Sequence, residues 1–183
     1  SQMIVAASQD PEIIAYARNA GAKGINLSGI CCTANEILMR QGIPAAGNFL
    51  QQELAILTGA VEAMVVDVQC IMQALVGLAT NFHTKIITTS PKVRITGALH
   101  IEFDEHKALT IAKQILREAI DNYQNRGETH IPDVREDLIP GFSHEYINYM
   151  LGGSYRASFR PLNDAIMAGR IRGAAAIVGC NNP

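Results

Sequence analysis

The chain has 183 residues, of which 48% are hydrophobic, so it is long enough to bury a core as one packed domain. Its 15 Lys and Arg residues are scattered and its formal net charge is -2, which excludes the basic surface that a nucleic acid partner requires. Apolar runs are only strand-sized and Ser1–Val5 lacks the features of a signal peptide, so we expect no membrane span and a cytoplasmic location.

The first part of the chain predicts a helix, a strand and a second helix. Asp10 is an N-cap, followed by proline and glutamate, of a helix that ends at Gly21. The apolar run Gly24–Ile30 predicts the first strand. A capping box at Thr33–Glu36 then predicts a helix that runs to Arg40.

Helices and strands alternate through the middle of the chain. Residues 42–48 predict a loop, and Leu50, Leu54, Leu57 and Val61 are spaced for a helix that buries one stripe. Further elements are predicted as strands over 63–68, 85–89 and 100–103 and as a helix over 71–82. This alternation is typical of βαβ units.

The longest predicted helix runs from an Asp104 cap to about Gln124, because apolar residues recur along one of its faces. An exposed loop follows over 127–140. The remaining predictions are a helix capped by Ser143 and closed by Gly152, a helix over 159–168 and a last strand over 174–178.

These elements predict an α/β fold with an open, mainly parallel, Rossmann-like sheet and helices on both faces. The absence of Trp and the low aromatic content of 5% fit a core of aliphatic side chains in such a fold. We treat residues 1–183 as a single domain.

All four cysteines lie just beyond predicted strands. Cys31 and Cys32 follow the first strand, Cys70 follows the second and Cys180 follows the last. Ligands of open parallel sheets collect at the carboxyl ends of the strands, so thiols far apart in sequence can meet at one edge. Cys32 and Cys70 each come just before a predicted helix. The N-terminus of a helix favours the thiolate form of a nearby cysteine, which is the form that binds metal. The pattern indicates a soft-metal or iron–sulfur site.

Other interpretations of the polar residues stay open. Each cysteine can instead be a small apolar residue of the core, and no C-x-x-C pair is present. The five histidines are interpreted as surface or satisfied side chains, and Glu53, Glu62 and Asp67 as capping or solvated carboxylates. The catalytic residues are therefore unknown, and the chain lacks the glycine motifs of nucleotide sites.

Several specific motifs occur in order along the chain: a double cysteine within Gly24–Arg40, a Gln-Cys pair within Asp67–Ile71, the strand Lys85–Thr89, and Ile171–Gly173 followed by Gly179–Asn182. In these segments, and over essentially all 183 residues, the chain resembles the anaerobic nickel–iron–sulfur carbon monoxide dehydrogenases. Gly47–Leu54 is most similar to the subunit partnered with acetyl-CoA synthase.

The resemblance implies a middle Rossmann-like domain of a longer subunit with a nickel–iron–sulfur C-cluster. By that likeness Cys32 would hold the iron pendant to the cubane, Cys70 and Cys180 would each hold a cubane iron, and Cys31 would be a neighbour. The family interconverts carbon monoxide and water with carbon dioxide, two protons and two electrons. Its remaining cluster ligands have no counterpart here, so we expect an isolated chain to be inactive, with an incomplete or absent cluster.

The resemblance also implies partners: the other domains of the parent subunit, a second subunit in a homodimer, acetyl-CoA synthase and a ferredoxin-like electron carrier. Because the chain stops at Pro183, just beyond Cys180, we expect it to be a fragment. Two alternatives remain, a hybrid-cluster hydroxylamine reductase-like domain and a free-standing α/β module that binds a small ligand and has structural cysteines.

Overall fold

The computed structural model describes residues 1–33, 40–68, 70–134, 144–152 and 159–175. Its contacts divide the chain into two compact units, Ser1–Arg135 and Glu136–Pro183, and each is described by itself. The single domain expected from the length of the chain stays a prediction.

The first unit alternates helices and strands. It begins with α1 (Gln2–Ser8), α2 (Pro11–Asn19), β1 (Gly29–Ile30), β2 (Ala45–Gly47), α3 (Gln52–Leu57) and β3 (Ala63–Val66). It continues with α4 (Ala74–Ala79), β4 (Lys85–Thr88), β5 (Leu99–His100) and α5 (Ala108–Asn122). Short 3₁₀ turns precede α3 at Phe49–Gln51 and flank α5 at Glu105–Lys107 and Tyr123–Asn125.

Side-chain caps lie where two of the predicted helices start, at α2 and at the 3₁₀ turn that leads into α5. The Asp10 carboxylate accepts a hydrogen bond from the Glu12 backbone N–H at 2.9 Å, and the Asp104 carboxylate accepts one from the His106 N–H at 2.9 Å. Each cap satisfies one of the amides that the first turn of a helix leaves without a partner. Both helix starts predicted from the sequence are confirmed.

The strands form two open sheets in which every described pair is parallel. In one sheet β4 lies between β3 and β5, with Ala63 opposite Lys85 and Thr88 opposite His100. In the other sheet β1 pairs with β2. The predicted α/β class with a parallel sheet is therefore confirmed.

Helices cover both faces of the three-stranded sheet. Ile86 packs with Ile56 of α3 and Leu75 of α4, whereas the next residue, Ile87, packs with Ile111 and Ile115 of α5. Successive residues of a strand point to opposite faces, so these two isoleucines anchor two separate cores. The prediction of helices on both faces is confirmed for this sheet.

Several predicted strand boundaries are wrong. The expected strand over 24–30 is reduced to Gly29–Ile30, and the expected loop over 42–48 contains β2. Gly29 N–H donates to the Pro44 carbonyl at 3.0 Å, so pairing with β1 makes a strand of Ala45–Gly47, a segment of low β-propensity. The fourth predicted strand begins one residue early and ends at His100.

The buried stripe predicted for α3 is also wrong. Leu50, Leu54 and Leu57 are exposed by 61%, 58% and 44%, whereas Gln52 and Ile56 are buried. The helix turns this second pair inward because Ile56 packs against the residues of α4. The Thr33 cap is wrong too, since the helix has already begun before Thr33; residues 34–39 of that predicted helix lie outside the described residues.

A polar cluster joins the amino ends of β3 and β4 to the end of α5. Arg126 and Glu62 form an ion pair at 2.6 Å, and the His83 imidazole lies 3.3 Å from the same carboxylate. The buried Asn122 amide donates to the Glu62 carbonyl at 2.8 Å and to the His83 carbonyl. A groove of about 790 Å³ runs beside these residues, at the edge of the sheet opposite to the cysteines.

The second unit contains α6 (His144–Gly152) and α7 (Arg160–Met167), which contact each other. Both confirm helices predicted from the sequence. The described start of the predicted last strand, residues 174–175, has no regular structure, and residues 176–183 lie outside the described residues. Among the helices described in either unit, none has the length and apolar character that crossing a membrane demands.

Candidate cysteine site

Three cysteines lie at the carboxyl ends of parallel strands, as the sequence predicts. Cys31 and Cys32 follow β1 directly, and Cys70 lies four residues beyond the end of β3. The side chain of Cys32 is exposed, whereas those of Cys31 and Cys70 are half-buried. Cys180, the fourth predicted position, lies outside the described residues.

The backbone at Cys31 and Cys70 is left-handed, with φ angles of 57° and 53°. Among the described residues these are the only non-glycine positions with a positive φ. A side chain in this conformation costs about 1–2 kcal/mol relative to ordinary helical backbone. Strain of this kind is concentrated at functional sites, where the surrounding structure holds the turn in place.

Gln52, the first residue of α3, connects the two strained turns. Its Nε2 donates to the backbone carbonyl of Cys70 and lies 4.0 Å from the Sγ of Cys31. The side chain is buried, with 3% of the residue exposed. One carboxamide therefore contacts cysteine turns that are 39 residues apart in the sequence and follow strands of different sheets.

Another polar pair lies at the carboxyl ends of β4 and β5. The His100 Nδ1 and the buried Thr88 hydroxyl are 2.9 Å apart. The other imidazole nitrogen is buried and has no hydrogen bond to the described residues, although the Glu102 carboxylate lies 3.8 Å away. The carboxyl edge of the sheet thus has polar side chains in addition to thiols.

The donors at this edge fit part of a soft-metal site. Thiolates are the ligands that iron–sulfur clusters use, and the exposed Cys32 is accessible to a cluster assembled from outside. Within the described ranges, however, no three His, Cys, Asp or Glu side chains lie close enough together to hold a metal ion. The predicted convergence of Cys32, Cys70 and Cys180 on one cluster stays a prediction.

Gln52 is not among the residues predicted from the sequence, because the leucines of α3 were expected to form its buried face. Ile56 and Gly59 are both buried, and Gln52 is one helical turn before Ile56 on the same face. A polar residue on that face was the available signal. This signal is informative only once it is known that α3 buries Ile56 and not the leucines.

Comparisons with known proteins give a consistent result. The pattern of the Prismane/CO dehydrogenase family matches residues 1–183. Carbon monoxide dehydrogenase 1 of Methanosarcina mazei is 53% identical over 184 residues, which cover 100% of this chain and 29% of that protein. The Ni-free structure of carbon monoxide dehydrogenase from Thermococcus sp. AM4, produced without the CooC maturase, matches with a TM-score of 0.82 and 52% identity, over 99% of this chain and 28% of that one.

A structure of acetyl-CoA synthase/carbon monoxide dehydrogenase also matches, with a TM-score of 0.81 and 43% identity. The match covers 99% of this chain and 27% of that one, and that structure has NiZn[Fe4S4] and NiNi[Fe4S4] clusters in its alpha subunits. This chain therefore spans less than a third of the length of each of these relatives.

Proposed function

The chain belongs to the Prismane/CO dehydrogenase family, and we propose that it is the segment of a carbon monoxide dehydrogenase subunit that supplies cysteine ligands to a nickel–iron–sulfur C-cluster. The observation that carries this proposal is the placement of thiols beyond β1 and β3, in two strained turns joined by Gln52. Cys32, Cys70 and Cys180 are the proposed ligands, and Cys31 is a neighbour.

The cluster would supply two-electron redox chemistry that interconverts carbon monoxide and water with carbon dioxide, two protons and two electrons. The task of this chain is to hold sulfur ligands in fixed positions and to surround them with oriented polar groups. Cys32 offers an accessible thiol at the end of one sheet, and Cys70 offers a half-buried one at the end of the other. The strained backbone at Cys70 restricts the direction of its Cα–Cβ bond before any ligand is bound, and the strained backbone at Cys31 directly precedes Cys32.

The partners belong to the same proposal. The remaining domains of the longer subunit complete the ligand set, and a second subunit forms a homodimer. A ferredoxin-like carrier accepts the electrons, and acetyl-CoA synthase is a further partner because one matching structure is a complex of that name. The proposed location is the cytoplasm.

The proposal is tested by anaerobic iron, nickel and sulfide analysis of the longer protein that carries this chain. We expect Cys32→Ser, Cys70→Ser and Cys180→Ser each to lose metal and the oxidation of carbon monoxide with a one-electron dye. Cys31→Ser is the matched control, because it changes the neighbouring thiol and is expected to keep the metal. Full metal content in the variants of the three proposed ligands contradicts the proposal.

Thiol labelling separates this function from that of a small-ligand module with structural cysteines. Ligand thiols at a strand-end site react with a maleimide in the folded, metal-free protein, whereas core cysteines react only after denaturation. Labelling of Cys32 and Cys70 only in denaturant would favour the module.

A further inference from the structure

The Gln52 side chain has an arrangement that its role in folding does not explain. It projects from the first residue of α3 into the space between the Cys31 and Cys70 turns, where its Nε2 donates to the Cys70 carbonyl. The Oε1 of the same carboxamide is buried and accepts no hydrogen bond from any described residue. An apolar side chain of similar shape would remove this unpaired acceptor, but it would also remove the donor to the Cys70 carbonyl.

The position of Gln52 also couples parts of the chain that have no direct backbone pairing. Cys31 follows the β1–β2 sheet and Cys70 follows the β3–β5 sheet. Because a left-handed turn is held only by its surroundings, a donor to the Cys70 carbonyl restricts the rotation of that turn. The same N–H group lies 4.0 Å from the Cys31 sulfur, so it orients both turns relative to one helix end.

We infer that Gln52 is a positioning residue for the cysteine site, whose amide N–H holds the Cys31–Cys32 turn and the Cys70 turn at the separation that the cluster requires. The inference rests on the proposed function. Gln52 is assigned no contact with the cluster itself and acts through the two turns. Groups that orient metal ligands in this way typically change metal affinity by about 10–100-fold when they are removed.

Two variants of the longer protein test the donor. Gln52→Met keeps the volume of the side chain and removes both polar atoms. Gln52→Glu keeps the shape but, when ionised, places an acceptor against the Cys70 carbonyl, whereas its protonated form again has an O–H donor. Glu53→Gln, one residue along α3 and exposed, is the matched control.

The readouts are iron and sulfide bound during anaerobic titration of the metal-free protein, and the alkylation rate of Cys70. We expect Gln52→Met to bind iron about 10–100-fold more weakly at every pH, and to alkylate faster at Cys70, with the control unchanged. For Gln52→Glu, the ratio of wild-type to variant iron affinity should fall towards one as the pH is lowered from about 8 to about 6. Burial raises the pKa of a carboxyl group, so the fraction of the protonated form, which has the O–H donor, grows over this range. Gln52→Met introduces no ionisable group, so its affinity relative to the wild-type protein should not change with pH.

The outcomes separate the two proposals. If the wild-type protein binds iron and sulfide while Gln52→Met binds them equally well and keeps the wild-type Cys70 rate, only the role of Gln52 is overturned. If the wild-type protein binds no iron and sulfide, the proposed function fails and the positioning role fails with it.

Discussion

Gly59 and Gly77 form a matched pair for which the structure predicts substitutions to alanine of opposite sign. Gly59 has a φ of +67°, and a Cβ added there would lie 2.4 Å from the Glu128 carbonyl oxygen. Gly77 lies inside α4, where an added Cβ meets nothing within 4 Å. The same chemical change therefore meets a strained, crowded position in one case and open space in the other.

The expected magnitudes follow from these two environments. At Gly59, the left-handed backbone costs an alanine about 1–2 kcal/mol, and moving Glu128 disturbs the bond between His130 N–H and the Thr58 carbonyl, worth about 1 kcal/mol. The lower entropy of the unfolded alanine chain offsets about 0.4–1 kcal/mol, which leaves a net loss of about 1–2.6 kcal/mol. Gly77→Ala should instead stabilise by about 0.5–1 kcal/mol, because alanine favours helical backbone.

Urea unfolding of both variants beside the wild-type chain, followed by circular dichroism, measures the two changes in the free energy of unfolding. The urea midpoints are compared only if the m values are equal, so that a shift in midpoint reports a change in stability. Equal stabilisation by both substitutions would refute the packing of Gly59 against the 128–130 segment. A loss at Gly77 would refute the open helical environment assigned to α4.

Three further predictions concern other parts of the first unit. Asn122→Ala should destabilise by about 1–3 kcal/mol in urea unfolding, because the Glu62 and His83 carbonyls both lose the donor that the buried Asn122 amide supplies. Asp10→Asn should remove an acid-sensitive part of the stability: the hydrogen bond to Lys113, at 2.6 Å, holds the pKa of the Asp10 carboxyl below its usual value. That contribution is present above about pH 4 and lost as the pH falls through the lowered pKa, so the two proteins should converge in acid. In maleimide labelling of the folded chain, exposed Cys32 should react before the half-buried cysteines.

Each of these three predictions has a control or an outcome that would contradict it. Gln124→Ala, at an exposed position two residues after Asn122, should change stability by less than about 0.5 kcal/mol. Asparagine is as good an N-cap as aspartate, so Asp10→Asn isolates the charge, and a constant difference between the two proteins in acid would contradict the ion pair. Labelling of Cys70 before Cys32 would contradict the described exposures.

The parts of the fold that could be predicted are those whose signal is local. The apolar face of α5 and the β-branched strands β3 and β4 were found because their residues repeat at the period of a helix or form short apolar runs. The strand at Ala45–Gly47 was missed because only its pairing with β1, which lies outside the segment itself, makes it a strand. Local propensity carries no information about such a partner.

The candidate site divides in the same way. The positions of Cys31, Cys32 and Cys70 after strands were predictable, since apolar runs mark where strands end. The left-handed backbone of Cys31 and Cys70 was not, because cysteine has no preference for that conformation and the turns are held by contacts with other elements. Gln52 was hidden for the same reason: its importance depends on the rotation of α3 about its own axis.

At Cys31 and Cys70, which have left-handed backbone, the residue that would best stabilise the fold differs from the residue that is present. Glycine adopts this backbone without strain, so a chain selected for folding alone would have glycine at positions 31 and 70. The strain at position 70 therefore falls on a proposed ligand, and the strain at position 31 falls on the residue directly before the proposed ligand Cys32. A programme that improves the thermal resistance of this protein by replacing strained residues would choose these positions first, and at position 70 it would remove a proposed ligand.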